Sequence, residues 1–210
     1  MDADVFRTWI TTAAEVIEEQ RDHLTQLDAA IGDADHGINL ARGFSAVVTA
    51  LETAAPATPG AVLTLTGSTL ISKVGGASGP LYGTAFRGAG KALGDTANVD
   101  LPGLATALEA ALAGVQRLGA AREGDKTMVD ALAPATGAFS KAIAEGASDA
   151  DALTALAEAA QAGAAATISM QALKGRASYL GPRSVGHEDP GAASTALILA
   201  ALRDAALAGR

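Results

Sequence analysis

Apolar residues recur at helical spacing along almost the whole chain, and strand-like alternation is scarce. Val5, Trp9, Ala13, Val16, Ile17 and Leu24 place a first helix over residues 4–24. Further helices are expected over Ile38–Leu51, Ala61–Val74 and Leu81–Leu93. Asp100 as N-cap and Pro102 in the first turn open a fifth, to about Leu118. A sixth spans Thr127–Ala144 with a kink or break at Pro134, and Ser148 or Asp149 caps a seventh to about Met170. The pair Asp189-Pro190 starts an eighth, to about Ala208. Short connections make sequential helices antiparallel, so alternate loops share one end. The expectation is an all-α, eight-helix antiparallel up-and-down bundle, one domain over residues 1–210. The stretches Gln26–Gly37, Gly75–Pro80, Gly119–Lys126 and Lys174–Asp189 then meet at one end. They are also the stretches richest in glycine and polar groups.

Composition narrows the function. Apolar residues make up 49% of the chain but aromatics only 3%, so helices should pack through small side chains. The absence of cysteine excludes disulfides, thiolate metal sites and cysteine nucleophiles. A net charge of −8 with no basic patch argues against nucleic acid as partner. No apolar run is read as approaching 18 residues and no signal-like N-terminus is seen, so a cytoplasmic protein with no membrane partner is expected.

Asp28, Asp33 and Asp35 lie within eight residues, with Gly32 and Gly37 flanking the closer pair. Three carboxylates held together repel unless one protonates or cations neutralise them. Hard oxygen donors suit Mg²⁺, Mn²⁺ or Ca²⁺. The loop is not an EF-hand, because Ile38 and Phe44 stand where that loop needs Gly and Glu. Against metal binding stands a simpler role, Asp33 or Asp35 capping the next helix. His36 suits a hydrogen-bonding role better than ligation of Mg²⁺.

The turn Gly75-Gly76-Ala77-Ser78-Gly79-Pro80 leads into a helix, where backbone amides and Ser78 can receive an anion. No Walker sequence occurs, so phosphates would be held through metal rather than by a P-loop lysine. Gly124-Asp125-Lys126-Thr127-Met128 fits a capped helix start; alternatively Gly119 and Met128 cover an adenine. Arg176, in the long polar stretch, could fix a phosphate by bidentate bonds. His187-Glu188 is no metalloprotease motif, since Gly191 stands where a second His would be needed.

These four motifs, in this order and over essentially the whole chain, resemble the nucleotide-binding L subunit of dihydroxyacetone kinase. The resemblance implies an eight-helix antiparallel barrel with the nucleotide at one end. It implies that Asp28, Asp33 and Asp35 hold two Mg²⁺ ions against the phosphates of ADP or ATP. It places nucleotide contacts at His36, Gly37, Ile38, Asn39, Ala77, Ser78, Gly79, Gly119, Met128, Arg176, Asp189, Pro190 and Gly191. It also implies that retained ADP is rephosphorylated in place by a phosphohistidine donor protein. The γ-phosphoryl then passes to dihydroxyacetone on a partner kinase subunit, and no catalytic base comes from this chain. In some systems the subunit family also contacts transcription regulators; assembly, a homodimer included, stays open. Other readings are an ATP-exchanging subunit serving another acceptor and a nucleotide-binding regulatory module. One departure stands out. Ala34 occupies a position that is usually glycine, and alanine tolerates positive φ poorly.

Overall fold

The computed structural model describes residues 1–208. Among them the chain forms nine α-helices and no strand: α1 (Ala3–Glu19), α2 (Arg21–Ile31), α3 (His36–Ala54), α4 (Pro59–Lys73), α5 (Ser78–Leu93), α6 (Leu101–Gly119), α7 (Val129–Ala144), α8 (Asp149–Ala166) and α9 (Pro190–Ala208). Two 3₁₀ segments, Thr167–Ser169 and Arg176–Ser184, lie in the connection from α8 to α9. The helices close a ring: α1 packs on α3, each helix from α3 to α8 packs on the next, and α9 returns to α1. With α1 and α2 taken as one broken stave, this is the expected eight-stave antiparallel barrel.

The break between α1 and α2 was not anticipated. Gln20 leaves helical geometry at φ −93°, ψ 6°, and its N–H bonds back to Val16 and Glu18. No glycine or proline marks the spot. The second half runs on to Ile31, which puts Asp28 in the last helical turn. The expected loop Gln26–Gly37 shrinks to residues 32–35, between Ile31 and His36. Pro134 neither ends nor splits α7. A proline there withdraws the N–H that would bond the Asp130 carbonyl, and Gly163 of α8 lies against that carbonyl. The Asp100 and Ser148 caps form as expected, bonding the amides of Gly103 and Asp151.

Small residues set the helix spacing. Where α4 meets α5, a Cβ on Gly67 would come within 2.5 Å of the Gly83 carbonyl, and one on Gly90 within 2.6 Å of Gly60. Four of the seven aromatics gather in one place. Trp9 touches Phe6 and Phe86 at centroid separations of 5.8 and 5.7 Å, and Phe86 reaches Phe44 at 6.3 Å. Trp9 Nε1 donates to the Ile198 carbonyl at 2.8 Å, so α1 is tied to α9 by a bond as well as by packing. Helix α9 is long and apolar enough on average to cross a bilayer, with a mean hydropathy of 1.3 over 18 of its residues, although Ser194, Thr195, Arg203 and Asp204 interrupt it and no unbroken apolar run of that length exists. Its buried residues run from Pro190 to Ala206 and it packs on α1, α7 and α8, as an inner stave does.

The start of α3 must sit close to α2 for the acidic loop to form. Gly37 makes this approach possible. A Cβ there would meet Thr25 Oγ1 at 2.6 Å and the Thr25 nitrogen at 2.9 Å, and would press still harder on the Arg21 carbonyl. Main chain cannot give way cheaply. Gly37→Ala should therefore lower the unfolding free energy by about 1–3 kcal/mol, measured by urea denaturation; an unchanged midpoint would contradict this packing role.

Candidate functional site

The four loop ends converge. A cavity of about 670 Å³ is lined by Asp28, Asp33, Asp35 and His36 from the acidic loop and by Gly75–Ser78 from the glycine turn. Gly119, Met128 and Lys126 line another side, and Arg176 with Asp189, Pro190 and Gly191 close it. Four expected contact residues do not line it. Gly37 packs against α2, Ile38 is half exposed, Asn39 bonds Arg42, and Gly79 lies against the Val74 carbonyl.

The acidic loop is held open by its own innermost carboxylate. Asp28 is buried, and its Oδ2 accepts the amides of Asp35 at 2.9 Å and His36 at 3.2 Å. It thereby does the N-capping of α3. Asp35 sits at the N-cap position but makes no side-chain cap bond. The simpler role for Asp35 is thus filled by another residue, and its carboxylate is free to face its neighbours. Ligand oxygens of Asp28, Asp33 and Asp35 all lie within 4.8 Å of one another. Gly32 has no room for a side chain, because a Cβ would meet the Asp28 Cγ at 2.8 Å. Across the mouth, Arg176 Nη2 forms an ion pair with Asp33 Oδ2 at 2.9 Å. Both side chains are well exposed, so the pair adds little stability. Its effect is to hold a guanidinium over the carboxylates. Three carboxylates with no sulfur and no unengaged imidazole form a hard-cation donor set, and Mg²⁺ fits it.

His36 is engaged on both sides. Nδ1 lies 3.1 Å from Ser78 Oγ and Nε2 lies 2.8 Å from Ser194 Oγ. Burial pulls its pKa down, against the opposing charges of Asp28 and Asp35. It is a neutral, hydrogen-bonding histidine, as the sequence suggested.

Several site residues escaped the sequence reading. Lys126 is only 1% exposed and has φ +60°. Its Nζ donates to the carbonyls of Thr167 at 2.7 Å, Met170 at 3.2 Å and His187. It fastens the long connection that carries Arg176 and ends at Asp189. Asp130, in the first turn of α7, accepts from the amides of Gly124 at 2.5 Å and Thr127 at 2.8 Å and so ties the preceding loop to the helix, while Met128 at the N-cap position makes no side-chain cap bond. Tyr82 and Ser194 join His36 in a buried polar group. Two hydroxyl residues on the inner side of an apolar helix, Ser194 and Thr195, were the available signal.

The expected strain at Ala34 is present, at φ +62°. Left-handed backbone costs a non-glycine residue roughly 1–2 kcal/mol, while glycine in the unfolded chain gives back part of that. Ala34→Gly should raise the unfolding free energy by about 0.5–1 kcal/mol, read from urea melts; a loss of stability would contradict it. A second expectation concerns Asp189. Burial is the main reason its carboxyl is pushed from 3.8 up to about 7, helped by Asp130 and opposed by the Ala192 and Gly191 amides and by Lys126. A raised acid binds its proton more tightly folded than unfolded. Its stabilising contribution is complete below about pH 4 and is lost as pH rises through about 7. Asp189→Asn should flatten the fall of stability across that window; an identical slope would rule the assignment out.

Known proteins are similar to this chain in sequence and fold. The DAK2 domain model matches residues 30–204. The chain is 42% identical over 201 residues to the ADP-binding subunit DhaL of a PEP-dependent dihydroxyacetone kinase from Listeria innocua, covering 96% of each protein. It is 43% identical over 198 residues to the corresponding subunit from Escherichia coli, covering 94% of each. It also superimposes on the crystal structure of the dihydroxyacetone kinase from C. freundii in complex with AMP-PNP and Mg²⁺, with a TM-score of 0.72 and 29% identity. That match covers 97% of this chain and 34% of the larger kinase. The chain belongs to the DAK2 domain family.

Proposed function

We propose that this chain is the ADP- and magnesium-binding phosphoryl-transfer subunit of a phosphoenolpyruvate-dependent dihydroxyacetone kinase, with one nucleotide-binding domain spanning its length. The observation that carries the reading is the convergence of Asp28, Asp33 and Asp35 within 4.8 Å at the mouth of a cavity closed by the glycine turn and Arg176. Relatives similar over nearly their full length are ADP-binding subunits of such kinases, and a solved neighbour is a kinase complex with AMP-PNP and Mg²⁺.

In this reading the three aspartates hold the metal, two ions in all, and Ala77 and Ser78 meet the phosphates. Metal bound there would offset phosphate charge as a phosphoryl group moves. The chain itself supplies position. Asp28 sets the loop, Arg176 offers a planar donor pair over the same mouth, and buried Met128 with Gly119 gives the adenine an apolar bed. No group here acts as general base. The acceptor sits on a partner subunit, and a phosphohistidine protein is the donor that recharges the nucleotide.

Isothermal titration with ADP tests this. Binding in Mg²⁺ should disappear with a chelator. Asp33→Asn should weaken it at least tenfold, about 1.4 kcal/mol. Binding that is indifferent to both changes would overturn the proposal.

A further inference from the structure

Behind the nucleotide cavity, a line of hydroxyls, half-buried at Ser78 and buried beyond it, joins three of its walls. Ser78 comes from the glycine turn, His36 from the start of α3, and Ser194 and Thr195 from α9; Tyr82 of α5 lies between them. Ser194 Oγ lies 2.8 Å from His36 Nε2 and 2.7 Å from the Tyr82 hydroxyl, and Thr195 Oγ1 lies 2.9 Å from that hydroxyl. The carbonyls of Pro190 and Gly191 offer alternative acceptors. Ser194 reaches Pro190 at 2.8 Å, while Tyr82 and Thr195 reach Gly191 at 2.9 and 2.8 Å. Ser194 is fully buried and Tyr82 and Thr195 nearly so.

A neutral imidazole has one N–H and one lone pair, and each hydroxyl has one proton. The line therefore has two directions. In one, Ser78 gives its proton to His36 Nδ1, Nε2–H points at Ser194, and the last protons end on the Pro190 and Gly191 carbonyls. In the other, Thr195 donates to Tyr82, Tyr82 to Ser194, Ser194 to His36 Nε2, and Nδ1–H to Ser78. Only this second direction leaves the Ser78 proton free to point into the cavity. A phosphate oxygen can only accept, so an anion beside Ser78 selects it.

We propose that Ser194, Tyr82 and Thr195 are positioning residues that act on the bound nucleotide through His36 and Ser78, the anion reversing the direction of the hydrogen-bond line and fixing His36 as its Nδ1–H tautomer. This inference rests on the nucleotide reading above. No proton is gained or lost, so the relay reverses without a change of charge. Reversal also frees the Pro190 and Gly191 carbonyls from their hydroxyl donors, which links phosphate contact at Ser78 to the opposite wall of the cavity.

The test uses protein labelled with ¹⁵N in histidine, with ADP and Mg²⁺ loading verified by calorimetry on the same sample. On loading, the His36 Nδ1 resonance should move into the protonated range and Nε2 into the unprotonated range. Ser194→Ala and Tyr82→Phe should each weaken ADP binding at least threefold and broaden or divide the His36 signal between tautomers. Ser194→Thr, which keeps the hydroxyl, should recover part of the affinity. A loaded wild-type protein whose His36 remains Nε2–H, or variants that bind ADP as the wild type does, would overturn the relay while leaving the nucleotide reading intact. A wild-type protein that takes up no ADP with Mg²⁺ present would instead overturn that reading, and the relay with it.

Discussion

Asp28 carries the constraint on which the site depends. It is a buried carboxylate on the last turn of α2, and two amides of the following loop donate to one of its oxygens. Those bonds turn the chain sharply into α3 and leave Asp33 and Asp35 on the same side. Without them, three like charges so close together would spread the loop into solvent. The same bonds release Asp35 from capping. One side chain thus caps the helix and assembles the cluster.

The barrel supplies the rest by alternation. Eight staves joined by short turns bring four connections to one end, and each brings a different chemistry. The first carries charge, the second a helix start rich in glycine, the third a buried thioether beside a glycine, and the fourth a guanidinium. The fourth connection is the longest and lacks a regular α-helix of its own. Lys126 compensates by donating to three of its carbonyls from inside the protein. A buried ammonium with three oxygen partners is stable only while those partners stay in place, so the third and fourth connections are coupled through it.

Much of this could be read from the residues. Helical spacing and the caps at Asp100 and Ser148 located the staves, and counting staves put the polar loops together. Ala34 was singled out as ill suited to positive φ, and it is in that region. The failures have physical causes. The break at Gln20 comes from main-chain geometry that ordinary side chains adopt. Pro134 stays inside an unbroken α7, with Gly163 of α8 packed against the carbonyl that loses its amide partner, a tertiary contact that local spacing does not encode. Gly37 and Gly79 do not line the cavity, because both are committed to close packing, Gly37 against Thr25 and the Arg21 carbonyl and Gly79 against the Val74 carbonyl. Tyr82 and Ser194 were missed because isolated polar residues in apolar helices carry no spacing signal until the partners are known, and Lys126 because a lysine in a polar loop gives no sign that its ammonium turns inward.

The central claim is that the acidic cluster exists to hold divalent ions against a nucleotide diphosphate. Crystals grown with ADP and Mn²⁺ and measured at the manganese edge test it most directly. The account expects anomalous density within coordinating distance of the Asp28, Asp33 and Asp35 carboxylates, with the diphosphate beside it and adenine near Met128. Manganese or ADP bound elsewhere on the barrel, with the three carboxylates facing only water, would contradict it.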